Sequence, residues 1–439
     1  VTEKLGSSLN DKMTASVITA DLLIPGRGQP LNNGAIVYEN RRITWVGAKS
    51  DIPEAYKSLN ATHVPILMPG LWDCHVHFLG SRSYITEVLY RESKVLAGAR
   101  AARDVAEVLN AGFTSVREVG GYGIYLTKAI EEGYLVGPTI YGAGSVLSQT
   151  GGHGDGHAVP LAEYQDACAN GLFFELCDGV DGCIKAVRMQ LRQGAKVIKI
   201  CASGGVSSEI DHPKHQQFTD AELKAMVEEA HRSERIVAAH CHGKAGIMAA
   251  LRAGCSTIEH GTYLDAEAIE VMIKQNAILV PTRTIQQSGL KMKDSWTESG
   301  YKKLQAVAKE HKEAYKLAVK SGVKIALGTD IGFSVSGTPL SHGSNGSELV
   351  YAVEAGLSPL QAIEAATANA PETLGLQAPL SGQLKERYDA DFIALSENPL
   401  EDIQIMADAK NVTHVWKGGK LFKAPTRDIF LPSHLALKY

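Results

Sequence analysis

The pattern of apolar and polar positions changes character twice along the chain. ASVITADLLIPG (15–26) and AIVYENRRITWVG (35–47) are β-branched and aromatic runs broken by Pro-Gly and Asn-Asn-Gly turn signals, which predicts short strands joined without helices. The same texture returns at the far end, in ADFIALSENP (390–399) and VTHVWKGGKLF (412–422). Between about residues 69 and 375 short apolar runs alternate with longer stretches of helical spacing. The strand candidates are the run ending at Trp72, then TSVREV, PTIYGAG, AKVIKICA, RIVAAHC, STIEH, AILVPT and VKIALGTD. The helical stretches include 88–110, 180–193, 219–233, 244–252, 265–275, 301–321 and 359–367, and Thr219 followed by Glu222 reads as a capping box. Eight strands in strict alternation with helices predict an α/β fold, a parallel (β/α)8 TIM barrel. No GxGxxG stands at the first strand-helix turn, which argues against a dinucleotide fold. The two β-rich ends predict one small β-sandwich assembled from both. The expected division is 14–66 and 377–425 for the sandwich and 67–376 for the barrel.

Composition narrows the function classes. The 439 residues carry a formal net charge of −4 without a basic block, so neither nucleic acid nor a membrane is an expected partner. Hydrophobic residues at 44% and charged residues at 21% suit a folded chain with a sizeable core. No run approaches the roughly 20 apolar residues of a membrane span. The polar start VTEKLGSSLNDK does not read as a secretory signal, and Met13 is an alternative start. Seven cysteines without a CxxC read as reduced thiols. A cytoplasmic location is expected, with secretion left open should the start be processed.

On a (β/α)8 barrel chemistry sits at the C-terminal strand ends, and metal-ligand residue types fall there. His75 and His77 follow LMPGLWDC, and at spacing two on an extended chain they point the same way. Lys199 shares a strand face with Val197 and Cys201. A buried ammonium is costly without a partner and cannot bind a cation. Either an unseen carboxylate pairs with it, or carbon dioxide converts the amine to an anionic carbamate able to bridge two cations. His240 or His242 in HCHG, His260 closing STIEH and Asp330 closing KIALGTD complete the set.

The motifs MPGLWDCHVHF, LSQTGGHGD, KVIKICASGGV, AAHCHGKAGIMAALRAG, IEHGTYL and ALGTD together resemble the metal-dependent amidohydrolase superfamily over nearly the whole chain. The resemblance is to the binuclear, carboxylated-lysine subtype and the branch that holds ochratoxinase and prolidase-like dipeptidases. It implies a hydrolase that cleaves an amide bond to a C-terminal amino acid, as in N-acyl amino acids, Xaa-Pro dipeptides or ochratoxin A. It also implies two divalent ions, taken as zinc, with His75, His77 and Asp330 on one, His240 and His260 on the other, and the Lys199 carbamate between them. Asp330 is the expected proton carrier and Tyr263, three residues after His260, the expected oxyanion donor. His153, His242, Arg283 and His342 are expected to contact a small-molecule amide substrate, with segments 158–178 and 333–345 shaping specificity. The resemblance further implies a homo-oligomer. Competing readings are a cyclic-amide or imidazolone hydrolase, a lactonase or esterase, and a non-catalytic scaffold. HCHGKAG lacks the glutamate that mononuclear deaminases of the superfamily carry after the fifth-strand histidine.

Overall fold

The computed structural model describes residues 15–83, 85–335, 338–427 and 429. The β-rich ends of the chain meet in one hydrogen-bonded sheet of seven strands. Its order is Lys420–Lys423, Val412–Lys417, Phe392–Leu395, Ala61–Pro69, Ala15–Leu23, Leu31–Glu39, Arg42–Ala48. Strand Ala61–Pro69 joins the two ends, running parallel to Ala15–Leu23 and antiparallel to Phe392–Leu395. Alternate residues of these strands, among them Ile18, Ile36, Leu67, Phe392 and Trp416, form a buried cluster.

Strand Ala61–Pro69 passes through Gly70 into Leu71–Ser81, the first stave of the central region. Its parallel neighbours are Phe113–Glu118 and then Thr139–Gly142. A second parallel run comprises Val146–Ser148, Ile198–Cys201, Val237–Cys241, Thr257–His260 and Ile278–Val280. Backbone bonds join the two sheets at both edges. On one side Lys196 N–H donates to Gly142 O at 2.8 Å. On the other, residues 324–327 bond to Leu279 (2.9 and 3.0 Å) and to Cys74 (2.8 Å). The result is a mixed α/β fold of parallel sheets, consistent with the TIM-barrel architecture predicted from the strand count.

The alternation that placed Lys199 on one face holds. Ile198, Ile200, Val237, Ala239 and Ile258 pack outward with Leu223, Met226 and Ile247 of the helices Asp220–Arg232 and Lys244–Ala253. Val197, Ala238 and Val280 point the other way, into a separate cluster with Trp72 and Ala326. The predicted capping box is present, Thr219 accepting from Glu222 N–H and the Glu222 side chain from the Thr219 amide. All seven cysteines are free and buried.

The structure departs from the expected elements in five places. The predicted eighth strand VKIALGTD holds only a single bridge, Ile325 with Leu279, and the last strand of this region is Ile331–Phe333, parallel to Leu71–Ser81. The helix predicted over 88–110 is two, Thr86–Arg91 and Lys94–Asn110, interrupted at the extended residue Glu92. The third stave breaks at Ala143–Ser145, where Gly144 has φ +77°. Segment 158–178 contains helix Leu161–Ala169 and strand Phe174–Leu176. Polar composition hid helix Arg283–Leu290 (RTIQQSGL). No helix among the described residues is long and apolar enough to cross a membrane.

Candidate metal centre

Left-handed backbone occurs at His260 (φ +69°), which ends its strand, at Thr282 (φ +54°), which precedes helix Arg283–Leu290, and at Asp330 (φ +60°), which precedes strand Ile331–Phe333. Non-glycine residues adopt this conformation only where the surroundings enforce it. At His260 it breaks the strand's alternation, so that Glu259 and His260, adjacent in sequence, both turn toward one site. Asp73 fixes the approach of the first and last staves. Its carboxylate accepts from the amides of His75 (3.0 Å) and Thr329 (3.1 Å), the Thr329 hydroxyl (2.6 Å) and Asn345 Nδ2 (2.7 Å). Gly328 packs so closely on His75 that a Cβ there would lie 2.6 Å from the His75 Cβ.

Each imidazole is held by one nitrogen. His75 Nδ1 meets Glu259 Oε2 at 2.7 Å, His77 Nδ1 the Gly120 carbonyl at 2.7 Å, His242 Nδ1 Thr262 Oγ1 at 2.7 Å and His260 Nδ1 Thr282 Oγ1 at 2.7 Å. His240 uses Nε2, 3.2 Å from Gly204 O. The opposite edges converge. Asp330 Oδ1 lies 3.2 Å from His77 Nε2 and 3.6 Å from His75 Nε2. Among the described residues, two groups of three have ligand atoms within 4.8 Å of one another: His240, His242 and His260, and His75, His260 and Asp330. The second imidazole of HCHG thus stands with the first, its ring stacked on His260 at 4.9 Å.

Lys199 is buried, and its Nζ lies 3.3 Å from His75 Nε2. Burial, partly offset by the Glu259 and Asp330 carboxylates, lowers the pKa of its amine. Burial also pushes His75 down to about 4 and His242 down to about 3, and holds His240 and His260 well below their ordinary value. Neutral imidazoles and a carboxylate are the donor set that borderline divalent cations take. The residues therefore fit a metal centre.

Behind the cluster runs a buried chain that the sequence reading passed over. Arg117 donates to Glu259 Oε1 (2.7 Å), to the Cys74 carbonyl (2.6 Å) and to Thr257 Oγ1 (3.0 Å). Burial alone would raise the Glu259 pKa, but Arg117 and His75 outweigh it and hold the carboxylate below its usual range. Glu259 in turn fixes the His75 ring so that Nε2 faces the cluster. Two charged residues inside β-branched runs, TSVREV and STIEH, were the available signal.

The cluster forms the polar floor of a cavity, open to solvent, whose walls include Leu79, Phe173, Phe174, Ile285, Trp296 and Leu304. His153 lines it, its ring stacked on His240 at 4.3 Å. Two expected substrate contacts and the expected oxyanion donor lie elsewhere. Arg283 is buried and turned away, donating to the Ala308 carbonyl (2.7 Å) and Gln286 Oε1 (3.1 Å). Tyr263 packs beside Val206 and Leu304 with the Lys214 ammonium 4.7 Å from its ring centre. It is not among the residues lining the cavity. His342 is buried against Phe78, ring centres 5.1 Å apart, and also does not line the cavity.

Residues 66–422 match the amidohydrolase family. The chain belongs to that family. As an amidohydrolase it is 49% identical to ochratoxinase of Aspergillus niger, over 94% of this chain and 88% of that one. The crystal structure of A. niger ochratoxinase superposes with a TM-score of 0.88 at 48% identity, covering 94% of this chain and 97% of that chain. A Xaa-Pro dipeptidase with methionine bound in its active site superposes at 0.82 with 31% identity, over 94% of this chain and all of the other. This amidohydrolase is a hydrolytic enzyme acting on C–N bonds, and the reading as a non-catalytic scaffold falls away.

Proposed function

We propose that this amidohydrolase cleaves the amide bond joining an acyl group to a C-terminal amino acid, its substrates being N-acyl amino acids, Xaa-Pro dipeptides or ochratoxin A. The observation that carries the reading is the convergence of His240, His242 and His260, and of His75, His260 and Asp330 with His77 against Asp330, beside the buried Lys199 amine at the floor of an apolar-walled cavity. The likeness to ochratoxinase and to a Xaa-Pro dipeptidase supports the substrate class.

His75, His77 and Asp330 would hold one divalent ion and His240 and His260 the other, with zinc suited to these donors. Bound there, such a pair acidifies water near neutral pH and polarises an amide carbonyl. Burial favours the uncharged form of the Lys199 amine, which is the nucleophilic one. Lys199 Nζ would add to the carbon of carbon dioxide, forming an N–C bond as one C=O π pair moves to oxygen and one proton leaves the nitrogen for water, and the resulting carbamate would offer anionic oxygen donors to the ions. Asp330 takes the proton of the attacking water on a carboxylate oxygen and delivers it to the departing amine nitrogen. The apolar walls exclude water and receive the acyl group. With Tyr263 packed to one side, His242, beside His260, is the better-placed donor toward the carbonyl oxygen. His153 is a further polar group for substrate, with Ser207 and Gln286 also lining the cavity. We retain residues 67–376 as a closed barrel and take the seven-stranded sheet to curl into a small sandwich from 14–66 and 377–425.

The test is a hydrolysis panel on zinc-loaded protein, with metal analysis alongside. N-acyl amino acids, Xaa-Pro dipeptides and ochratoxin A should be cleaved at two ions per chain. Activity confined to lactones and cyclic ureides would overturn the substrate class, and one ion per chain the binuclear centre.

A further inference from the structure

Outside the catalytic cavity, a small cleft opens between the helices Arg283–Leu290, Glu298–Lys320 and Ser347–Glu354, with room for one occupant about the size of a water molecule. It is lined by Arg283, Lys312, Tyr315, Tyr351, Glu354 and Ala355. Arg283 is only 7% exposed. Its Nη1 is committed to the Ala308 carbonyl (2.7 Å) and Gln286 Oε1 (3.1 Å) and lies 3.4 Å from His311 Nδ1, whereas Nη2 and Nε donate to no group among the described residues. Tyr315 is 2% exposed, and its hydroxyl likewise has no partner there. The buried Glu348 carboxylate is engaged elsewhere. Its Oε1 accepts from the Arg283 amide (2.9 Å), and its Oε2 from the Thr284 amide (2.7 Å) and hydroxyl (2.6 Å). Neither the Arg283 guanidinium nor the Lys312 ammonium makes an ion pair among the described residues, and Glu348 and Glu354 attract the guanidinium only at longer range.

A buried guanidinium is ordinarily paired with a carboxylate, and a buried hydroxyl ordinarily finds a partner, because both give up hydration on folding. Here two cations and a spare O–H donor line one cleft, against a single carboxylate, that of the exposed Glu354. A water molecule would satisfy Tyr315 but leave the Arg283 charge without a counterion. We propose that the cleft binds a halide-sized monovalent anion, such as chloride, held by Arg283 Nη2 and Nε, the Tyr315 hydroxyl and the Lys312 ammonium. The narrowness of the cleft excludes phosphate and sulfate, and Glu354 disfavours a second negative charge. The bound anion braces three helices against one another. One of them, Arg283–Leu290, carries Ile285 and Gln286 in the wall of the catalytic cavity.

Thermal unfolding tests the site, with sodium chloride exchanged for sodium gluconate at fixed ionic strength so that screening stays constant. Gluconate is too bulky for the cleft. The midpoint of the metal-loaded protein should rise with chloride and then level off, as for any ligand of the folded state. Tyr315→Phe keeps the ring in its packing and should weaken the apparent chloride affinity by about tenfold, the worth of a hydrogen bond to a charged group. Lys312→Ala should weaken it by about threefold, as for an exposed charge. Crystals grown in bromide should give an anomalous peak between Arg283 and Tyr315 in the native protein and a weaker one in Tyr315→Phe. Water in the cleft without anomalous signal overturns the proposal. So does a chloride dependence equal in the native protein and Tyr315→Phe, which would put the anion elsewhere, on the metal ions for instance. Should Tyr315→Phe fail to fold, the Lys312→Ala titration and the native bromide crystal decide. None of these readouts depends on which substrate is cleaved.

Discussion

Replacing Arg117 by Met should damage the metal centre from behind. Arg117 and Glu259 are both fully buried, and the guanidinium makes three hydrogen bonds there, to Glu259, Cys74 and Thr257. Methionine fills much of the volume but strands the Glu259 charge. Removing one partner of a buried ion pair costs about 3–5 kcal/mol, far more than the loss of a solvent-exposed pair such as Lys302–Glu298. Denaturant unfolding of the metal-free protein should report that loss. A second effect follows, because Glu259 sets which nitrogen of His75 faces the cluster. Loss of such an outer partner weakens metal binding by about 10–100-fold, or about 1.4–2.8 kcal/mol, measurable by zinc competition against a chelator. Glu259→Gln should show the affinity loss as well, since an amide supplies one acceptor where the carboxylate supplies two. If Arg117→Met kept both zinc affinity within about twofold and stability within about 1 kcal/mol, the buried chain would be packing and nothing more.

Asp330→Asn should lower kcat by about 10²–10⁴ while the protein stays folded, as circular dichroism and hydrolysis assays would show. Arg283→Met should destabilise by about 1–3 kcal/mol, through the acceptors it leaves unpaired, with KM unaltered; a KM raised only for carboxylate-bearing substrates would refute its placement away from the cavity. Burial, opposed by the amides of Gly123 and Phe78, pushes Glu118 up to about 8 from an ordinary 4.5. A folded-state pKa above the unfolded one means stability that is full below the ordinary value and is lost as pH rises through the folded value. Unfolding of the metal-free protein should therefore show stability declining between about pH 4.5 and 8, and Glu118→Gln should flatten that decline.

What the sequence revealed depended on range. Period-two alternation is local, so the burial of Val197 and Lys199 on one face and of Ile198 and Ile200 on the other was legible. So was the capping box at Thr219, which needs only four residues. Glu259 escaped notice because the left-handed turn at His260 cancels the alternation that would have set the two residues on opposite faces. Arg283 was misread for a different reason. Its partner Ala308 belongs to the helix Glu298–Lys320, and no local pattern says which way a rim arginine will fold. Tyr263 was inferred from its distance to His260 along the chain, but its amide donates to the His242 carbonyl and turns the ring toward Lys214. The break at Glu92 leaves no mark in an apolar periodicity that runs on through it.

Strand Ala61–Pro69 has a consequence for how the protein is made. It feeds directly into the stave bearing His75 and His77, yet one of its two edges is covered by Phe392–Leu395, from the last tenth or so of the chain. While the polypeptide is still emerging from the ribosome, that edge, with Ile66, Leu67 and Met68 on it, has nothing to pair with. An uncovered apolar strand edge is a template for association between chains. Synthesis that stalls before residue 392 would therefore leave a product prone to aggregate, and chaperone demand should peak late in translation.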